Sequence, residues 1–140
     1  MNSPVIVDTS VIYAALLSRH SRLRQPLLSE NRLKLFIPRF VFVELFKHKE
    51  RIVGATSLPE SELLETLHAI LTRLKFIDEA LIPVGDWIEA RRLCREVDAK
   101  DAPFVALALH LHGQLWTGDD ELKRGLLTRG FDQFFSPPQK

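Results

Sequence analysis

Four acidic residues stand where separate apolar segments end, begin or are interrupted: Asp8, Glu44, Asp101 and Asp119. Asp8 follows the run Pro4–Val7 (PVIV), Glu44 interrupts FVFVELF, Asp101 precedes the apolar stretch Phe104–Leu111, and Asp119 follows Gln114–Thr117. Two like charges about 4 Å apart repel by roughly 4 kcal/mol even at an effective dielectric of about 20. Carboxylates that gather therefore require a cation, and an all-oxygen donor set favours Mg2+ or Mn2+ over zinc. Metal-assisted hydrolysis is the chemistry such a cluster performs.

Each acid also has a purely structural reading. Asp98 and Asp101 are good helix-capping types, and a cap followed by a first-turn acid accounts for D-x-x-D without function. Asp119 and Asp120 could cap and open the segment Glu121–Thr128 in the same way. Glu44 is harder to explain so, because an acid inside an apolar helical run is costly unless paired or metal-bound. An ion pair with a nearby Lys or Arg is its alternative. The five histidines form no rival centre: His110 and His112 are two apart and point to different faces of a helix. His48, four residues after Glu44, can share its face. No G-x-G-x-x-G, P-loop or nucleophile-elbow serine is present.

The elements that must position these acids alternate between two periodicities. Pro4–Val7 and Leu33–Ile37 are short β-rich runs, the pattern of parallel strands covered on both faces. Helices are expected over Val11–Leu17, with Thr9 or Ser10 as cap, and over Arg39–Val53, with Pro38 in its first turn and Gly54 as its stop. Ser18–Asn31 is polar, with leucines interspersed and Pro26 limiting any helix. Ser57-Leu-Pro-Glu60 has capping-box spacing. The helix behind it carries Leu63, Leu64, Leu67, Ile70, Leu71 and Leu74 on one face, as core or partner contact. Lys75–Pro83 reads as a strand or extended connection, and Asp86 starts a helix burying Trp87, Ala90, Cys94 and Val97. Gly113 ends the Phe104–Leu111 helix, Gln114–Thr117 is a strand, Glu121–Thr128 a surface helix, and Gln133–Ser136 a last strand before Pro137-Pro138. Alternation of strand and helix implies a three-layer α/β/α sandwich with a central, mostly parallel sheet. In such sheets ligands collect outside the carboxyl ends of the strands, where Asp8 and Asp119 fall.

At 140 residues the chain is expected to form a single domain spanning 1–140. A net charge of +1 does not suggest a bulk nucleic-acid binder, although a locally basic face is compatible with it. One cysteine excludes an intrachain disulfide and a Cys-rich zinc site, and Cys94 is expected as an inert core thiol. With no signal-peptide pattern and no run of about 18 apolar residues, a cytoplasmic protein without membrane attachment is expected.

With these acids in order, the chain resembles the PIN-domain nucleases, a group that includes the VapC-type toxins of toxin–antitoxin pairs. The resemblance is carried by V-D-T-S at Val7–Ser10, E-L-x-K-H at Glu44–His48, K-D-A-P-F-V-A-L-A-L at Lys100–Leu109 and W-T-G-D at Trp116–Asp119. It implies a PIN-like fold and a ribonuclease using one or two Mg2+ or Mn2+ ions. It carries over Asp8, Glu44, Asp101 and Asp119 as catalytic, metal-binding acids, with Ser10 and Thr117 as supporting hydroxyls. Ser10 stands where relatives often have Asn, and the T-x-D spacing selects Asp119 over Asp120. An RNA substrate, a cognate antitoxin and a homodimer are the partners it implies. Lys47, Lys49, Arg51, Lys123 and Arg124 are candidates for holding RNA by its phosphates, with ordinary surface charge as the alternative. Two other readings stay open: a catalytically silent PIN-like module that binds RNA or protein, and a receiver-type phosphoacceptor domain. The second would want an acidic pair after the first strand, where this chain has Asp8 alone.

Overall fold

The computed structural model describes residues 3–29 and 32–137. Asn31 and Pro138, named above at segment ends, lie outside the described residues. Four strands, β1 (Val5–Val7), β2 (Leu35–Pro38), β3 (Leu74–Ile77) and β4 (Gln114–Trp116), form one parallel sheet in the order β3-β2-β1-β4. All three residues of β1 are buried, as an unbroken Val-Ile-Val run at the centre of a covered sheet requires. From β1 the chain winds outward through β2 and β3, then returns to pair β4 on the other side of β1. The winding direction therefore reverses between β1 and β4, and a crevice opens at the carboxyl ends of that pair.

Eight α-helices cover the sheet among the described residues: α1 (Thr9–Leu17), α2 (Arg24–Ser29), α3 (Phe40–Lys47), α4 (Lys49–Ala55), α5 (Glu60–Arg73), α6 (Val84–Cys94), α7 (Ala102–Leu111) and α8 (Asp120–Thr128). Helix α7 lies across β1, β2 and β4 with α6 packed on it, and α1, α2, α4 and α5 pack together as another layer. The result is the expected α/β/α sandwich. Its core joins Ile6, Val11, Ile12, Ile37, Val105 and Leu107, all fully buried. No helix among the described residues is long and apolar enough to cross a membrane.

Several local expectations are corrected. Pro38 ends β2, paired with Ile77, instead of opening a helix. The single helix expected over 39–53 is two, broken at His48, and Gly54 lies inside α4. Ser57 forms no capping box: its hydroxyl donates to the Leu17 carbonyl at 3.2 Å, and α5 starts behind Pro59 without a side-chain cap. The left-handed residue ending α7 is His112 (φ 52°), not Gly113. Gly113 is needed for close approach, since a Cβ there would lie 2.6 Å from the Pro4 carbonyl oxygen. The expected last strand reduces to one parallel bridge, Leu115 to Phe134.

One residue of the leucine stripe faces outward. Leu63, Ile70 and Leu74 are buried, but Leu64 is 58% exposed. It borders an apolar groove of about 410 Å³ between α3, α4 and α5, lined also by Phe42, Phe46, Val53 and Leu67.

Candidate functional site

The β1–β4 crevice is built by backbone pairing first. The Asp8 amide donates to the Trp116 carbonyl at 2.9 Å, which fixes the end of β1 against the end of β4. Asp8 is only 5% exposed. It is the residue before α1 but makes no side-chain capping bond. Its carboxylate is occupied otherwise: the Ser10 and Thr117 hydroxyls each donate to Oδ2 at 2.7 Å. The Gly118 amide donates to the Ser10 hydroxyl at 3.0 Å, and the Asp119 amide to the Thr117 hydroxyl at 3.0 Å. Two hydroxyls thus tie the first acid to the loop bearing the fourth. Ser10, expected as a possible cap for α1, sits inside the helix and serves Asp8 instead.

Asp119 does cap a helix: its Oδ1 accepts the Leu122 amide at 3.1 Å at the start of α8. Capping and proximity to the other acids are compatible here, so the structural reading of Asp119 does not displace the functional one. Asp101 precedes α7 and makes no side-chain capping bond. Asp98 accepts the Lys100 amide at 3.0 Å as the cap of the 3-10 turn Ala99–Asp101, as its structural reading required. Asp120 is an exposed first-turn residue of α8.

The electrostatics show which acids act on one another. Burial raises the Asp8 carboxyl above its ordinary range, the Thr117, Ser10 and Thr9 hydrogen bonds oppose it, and the charge of Asp119 adds to it. The Asp101 carboxyl is pushed up to about 7, first by burial and then by the charges of Asp8, Asp98 and Asp119, with Lys100 opposing. Asp8, Asp101 and Asp119 therefore lie in one field, and Asp98 contributes to it. None of the four forms an ion pair with Lys, Arg or His among the described residues. An acidic recess of about 310 Å³ opens beside them, lined by Glu96, Asp98, Asp119 and Glu121. Cys94 lies in the core as a buried thiol, as expected, pushed up to about 11 by burial and by Asp101 and Asp98.

Glu44 is not among the charges felt by Asp8 or Asp101. It lies in the second half of α3, 3.3 Å from His48 Nε2, and its charge is felt by Tyr13 of α1 together with that of Arg51. The structure thus brings three of the four expected acids into one field and leaves Glu44 beside a neighbouring group. The partner expected for a non-metal Glu44 was Lys or Arg; the partner found is His48. No three His, Cys, Asp or Glu side chains among the described residues stand close enough to enclose an ion as they are. The donor chemistry nonetheless suits Mg2+ or Mn2+: carboxylate oxygens, those of Asp8 and Asp101 partly desolvated, mutually repelling and without an ion-pair partner among the described residues.

The candidate RNA-contact cations are dispersed. Lys47, Lys49, Arg51 and Arg124 are exposed, and Lys123 sits over the Phe134 ring at 5.5 Å. Sequence reasoning missed Tyr13, which feels the charges of Glu44 and Arg51; nothing in its local sequence marks it.

Comparison with known proteins places this arrangement. The chain resembles a solved structure, that of VapBC2 from Rickettsia felis bound to a DNA fragment from their promoter, with a TM-score of 0.60 at 20% identity. The match covers 86% of this chain and 91% of that one. None of the curated proteins matches. The sequence profile of the PIN domain matches residues 6–134, which takes in all of the acids above and sets aside the receiver-type reading. By that match the chain belongs to the PIN-domain family.

Proposed function

We propose that this protein is a divalent-metal-dependent endoribonuclease that hydrolyses RNA phosphodiester bonds, acting as the toxin of a type II toxin–antitoxin pair. The observation that carries the reading is the gathering of Asp8, Asp101 and Asp119 at the β1–β4 crevice. Ser10 and Thr117 tie Asp8 to the loop bearing Asp119. Asp101, raised first by burial and then by Asp8, Asp98 and Asp119 against the opposing charge of Lys100, forms no ion pair among the described residues. A structural carboxylate is normally relieved by an Arg, a Lys or several hydrogen bonds, whereas a metal ligand awaits its cation.

Asp8, Asp101 and Asp119 would hold one or two Mg2+ or Mn2+ ions, with Glu44 as the fourth acid supplied from α3. A bound ion would activate a water and offset charge on the scissile phosphate. The chain's own residues do the rest. Ser10 and Thr117 fix the rotamer of Asp8 and, by donating to its Oδ2, oppose the rise that burial imposes on its carboxyl. Thr117 also orders the Asp119 amide, so both acids depend on one hydroxyl. Lys47, Lys49, Arg51, Lys123 and Arg124 hold the RNA backbone without reading sequence. The similar structure is a VapBC2 assembly, and an antitoxin partner for this chain is proposed on that likeness. The exposed groove between α3, α4 and α5 offers such a partner, or a second copy of the chain, an apolar surface. A cytoplasmic location accords with this role.

The test is RNA cleavage in Mg2+ or Mn2+ by wild type and by Asp8→Asn and Asp101→Asn, purified identically. Loss of cleavage in both variants, with folding retained, is expected. Full activity in either would refute the metal-site reading, and a wild type that binds RNA without cutting it would favour the silent module.

A further inference from the structure

Residues 18–23 join α1 to α2, and their sequence, Ser-Arg-His-Ser-Arg-Leu, places Arg19, His20 and Arg22 just before Arg24 opens α2. Short polar bonds give the loop a fixed course. The His20 amide donates to the Ser18 hydroxyl at 3.1 Å and the Leu23 amide to the Ser21 hydroxyl at 3.2 Å. The Ser21 and Arg24 amides donate in turn to the Ser18 and Ser21 carbonyls. Serine favours such turns because its hydroxyl bonds the backbone two residues on. The loop leads to the crevice: a Cβ on Gly118 would lie 3.3 Å from Leu23 Cδ1 and 3.6 Å from the Ser10 hydroxyl oxygen. Leu23 therefore packs where the Gly118 amide and Ser10 tie the ends of β1 and β4 together.

The fold employs two of these basic side chains and leaves two. Arg24 is half-buried, donating from Nη1 to the Ala15 carbonyl at 2.9 Å and from Nη2 to the Thr66 hydroxyl at 2.8 Å. Arg19 pairs with Glu62. His20 and Arg22 are exposed, and neither side chain forms a hydrogen bond or ion pair among the described residues. Arg22 adjoins Leu23, so its Cα stands about 3.8 Å from that of a residue packed on the crevice. Before a metal binds, that crevice repels RNA: Asp8, Asp101 and Asp119 act on one another there, and Asp98 adds its charge. A polyanion brought to such a place needs cations close by, because at physiological salt charges more than about 8 Å apart are largely screened. A guanidinium meets that need well, with a planar fork that matches two phosphate oxygens.

We propose that Arg22 is a substrate-binding residue: set beside the β1–β4 crevice by Leu23 and the serine turns, it grips a phosphate of the RNA strand that enters there. This rests on RNA as the substrate and adds a contact outside Lys47, Lys49, Arg51, Lys123 and Arg124. It also gives the order of the loop a use, since a group on a pre-organised segment loses less freedom on binding than one on a loose segment. The contact fixes the position of the strand and carries no base information.

The test is binding of a single-stranded RNA oligonucleotide in chelator, where a metal-dependent nuclease does not cut, over a range of salt concentrations. Wild type, Arg22→Ala, Arg22→Lys and Lys75→Ala are compared. Lys75 is exposed on β3, at the far edge of the sheet from β4, and controls for loss of charge alone. Arg22→Ala is expected to weaken binding about tenfold at low salt. It should also reduce the slope of log K against log salt by about 0.7, the share of one phosphate contact on a single strand. Arg22→Lys should keep the slope and recover part of the affinity, because it retains the charge and loses the fork. Lys75→Ala should match wild type. A wild-type slope and affinity in Arg22→Ala, or an equal loss in Lys75→Ala, refutes the role of Arg22 and leaves the nuclease reading standing. A wild type that binds no RNA refutes both.

Discussion

Replacing Asp101 by Asn should make the metal-free protein more stable while removing its response to metal. In the folded chain the carboxyl is shifted from 3.8 to about 7. At about 1.36 kcal/mol per pKa unit the ionised side chain costs at most about 4 kcal/mol. Asp101 is only partly buried, and solvent screening reduces the figure to about 1–2 kcal/mol. The helix dipole at the start of α7 favours the charge by up to about 1 kcal/mol and pulls the expectation toward the lower end. Asn loses little else, since the Asp101 side chain makes no capping bond.

The sign follows from which state holds the proton. Below about pH 4 Asp101 is protonated in both folded and unfolded chains and contributes no difference. Between about pH 4 and 7 the unfolded chain releases the proton while the folded chain keeps it, so wild-type stability falls as pH rises. Above about pH 7 both are ionised and the loss is complete. Asp8, also raised, works in the same direction. Asp101→Asn lacks the slope due to Asp101, so its advantage should be smallest near pH 4 and full near pH 8. A gain of about 1–2 kcal/mol corresponds to roughly 3–7 °C in thermal midpoint for a domain of this size. Thermal unfolding in chelator across that pH range measures it. Added Mg2+ or Mn2+ should then raise the wild-type midpoint and leave the variant's unchanged. An Asp101→Asn protein that is no more stable than wild type near pH 8, or whose advantage is independent of pH, would refute the claim of mutual repulsion among these acids.

Thr117→Val keeps shape but removes a donor to Asp8 and an acceptor for the Asp119 amide. A stability loss of about 1–2 kcal/mol is expected in urea unfolding, with cleavage reduced tenfold or more; wild-type values for both would show that the hydroxyl is incidental. Gly113→Ala places a methyl 2.6 Å from the Pro4 carbonyl oxygen and from Ile6 Cδ1. Because Pro4 also accepts the Gln114 amide at 2.9 Å, the β1–β4 register should loosen, at about 1–3 kcal/mol. An unchanged urea midpoint would mean that the strand ends yield at no cost.

How much of this could be read in the chain depended on whether the signal was local. Asp8 was legible because a β-branched run ending in a carboxylate needs no knowledge of the rest of the molecule, and Asp119 because T-x-D follows a strand in the same way. Their coupling through Ser10 and Thr117 was legible only as family likeness, since it spans 107 and 109 residues of sequence. Errors arose where long-range packing overrode a local rule. Ser57 has the spacing of a capping box, yet the Leu17 carbonyl of α1 takes its hydroxyl. Gly113 has the look of a helix stop, but the Pro4 carbonyl demands a residue without a Cβ, and His112 adopts the left-handed turn one position earlier. The segment Phe40–Ala55 is the most instructive case. Its apolar pattern supports one continuous helix, and no residue at position 48 forbids it. Breaking there lets Val41 and Leu45 of α3 and Ile52 of α4 each reach the core, while Phe42, Phe46 and Val53 are left in the groove. The break thus leaves one short helix carrying both Glu44 and an apolar edge at the groove. A protein seated in that groove would bear on the same helix that carries Glu44 without entering the acidic crevice.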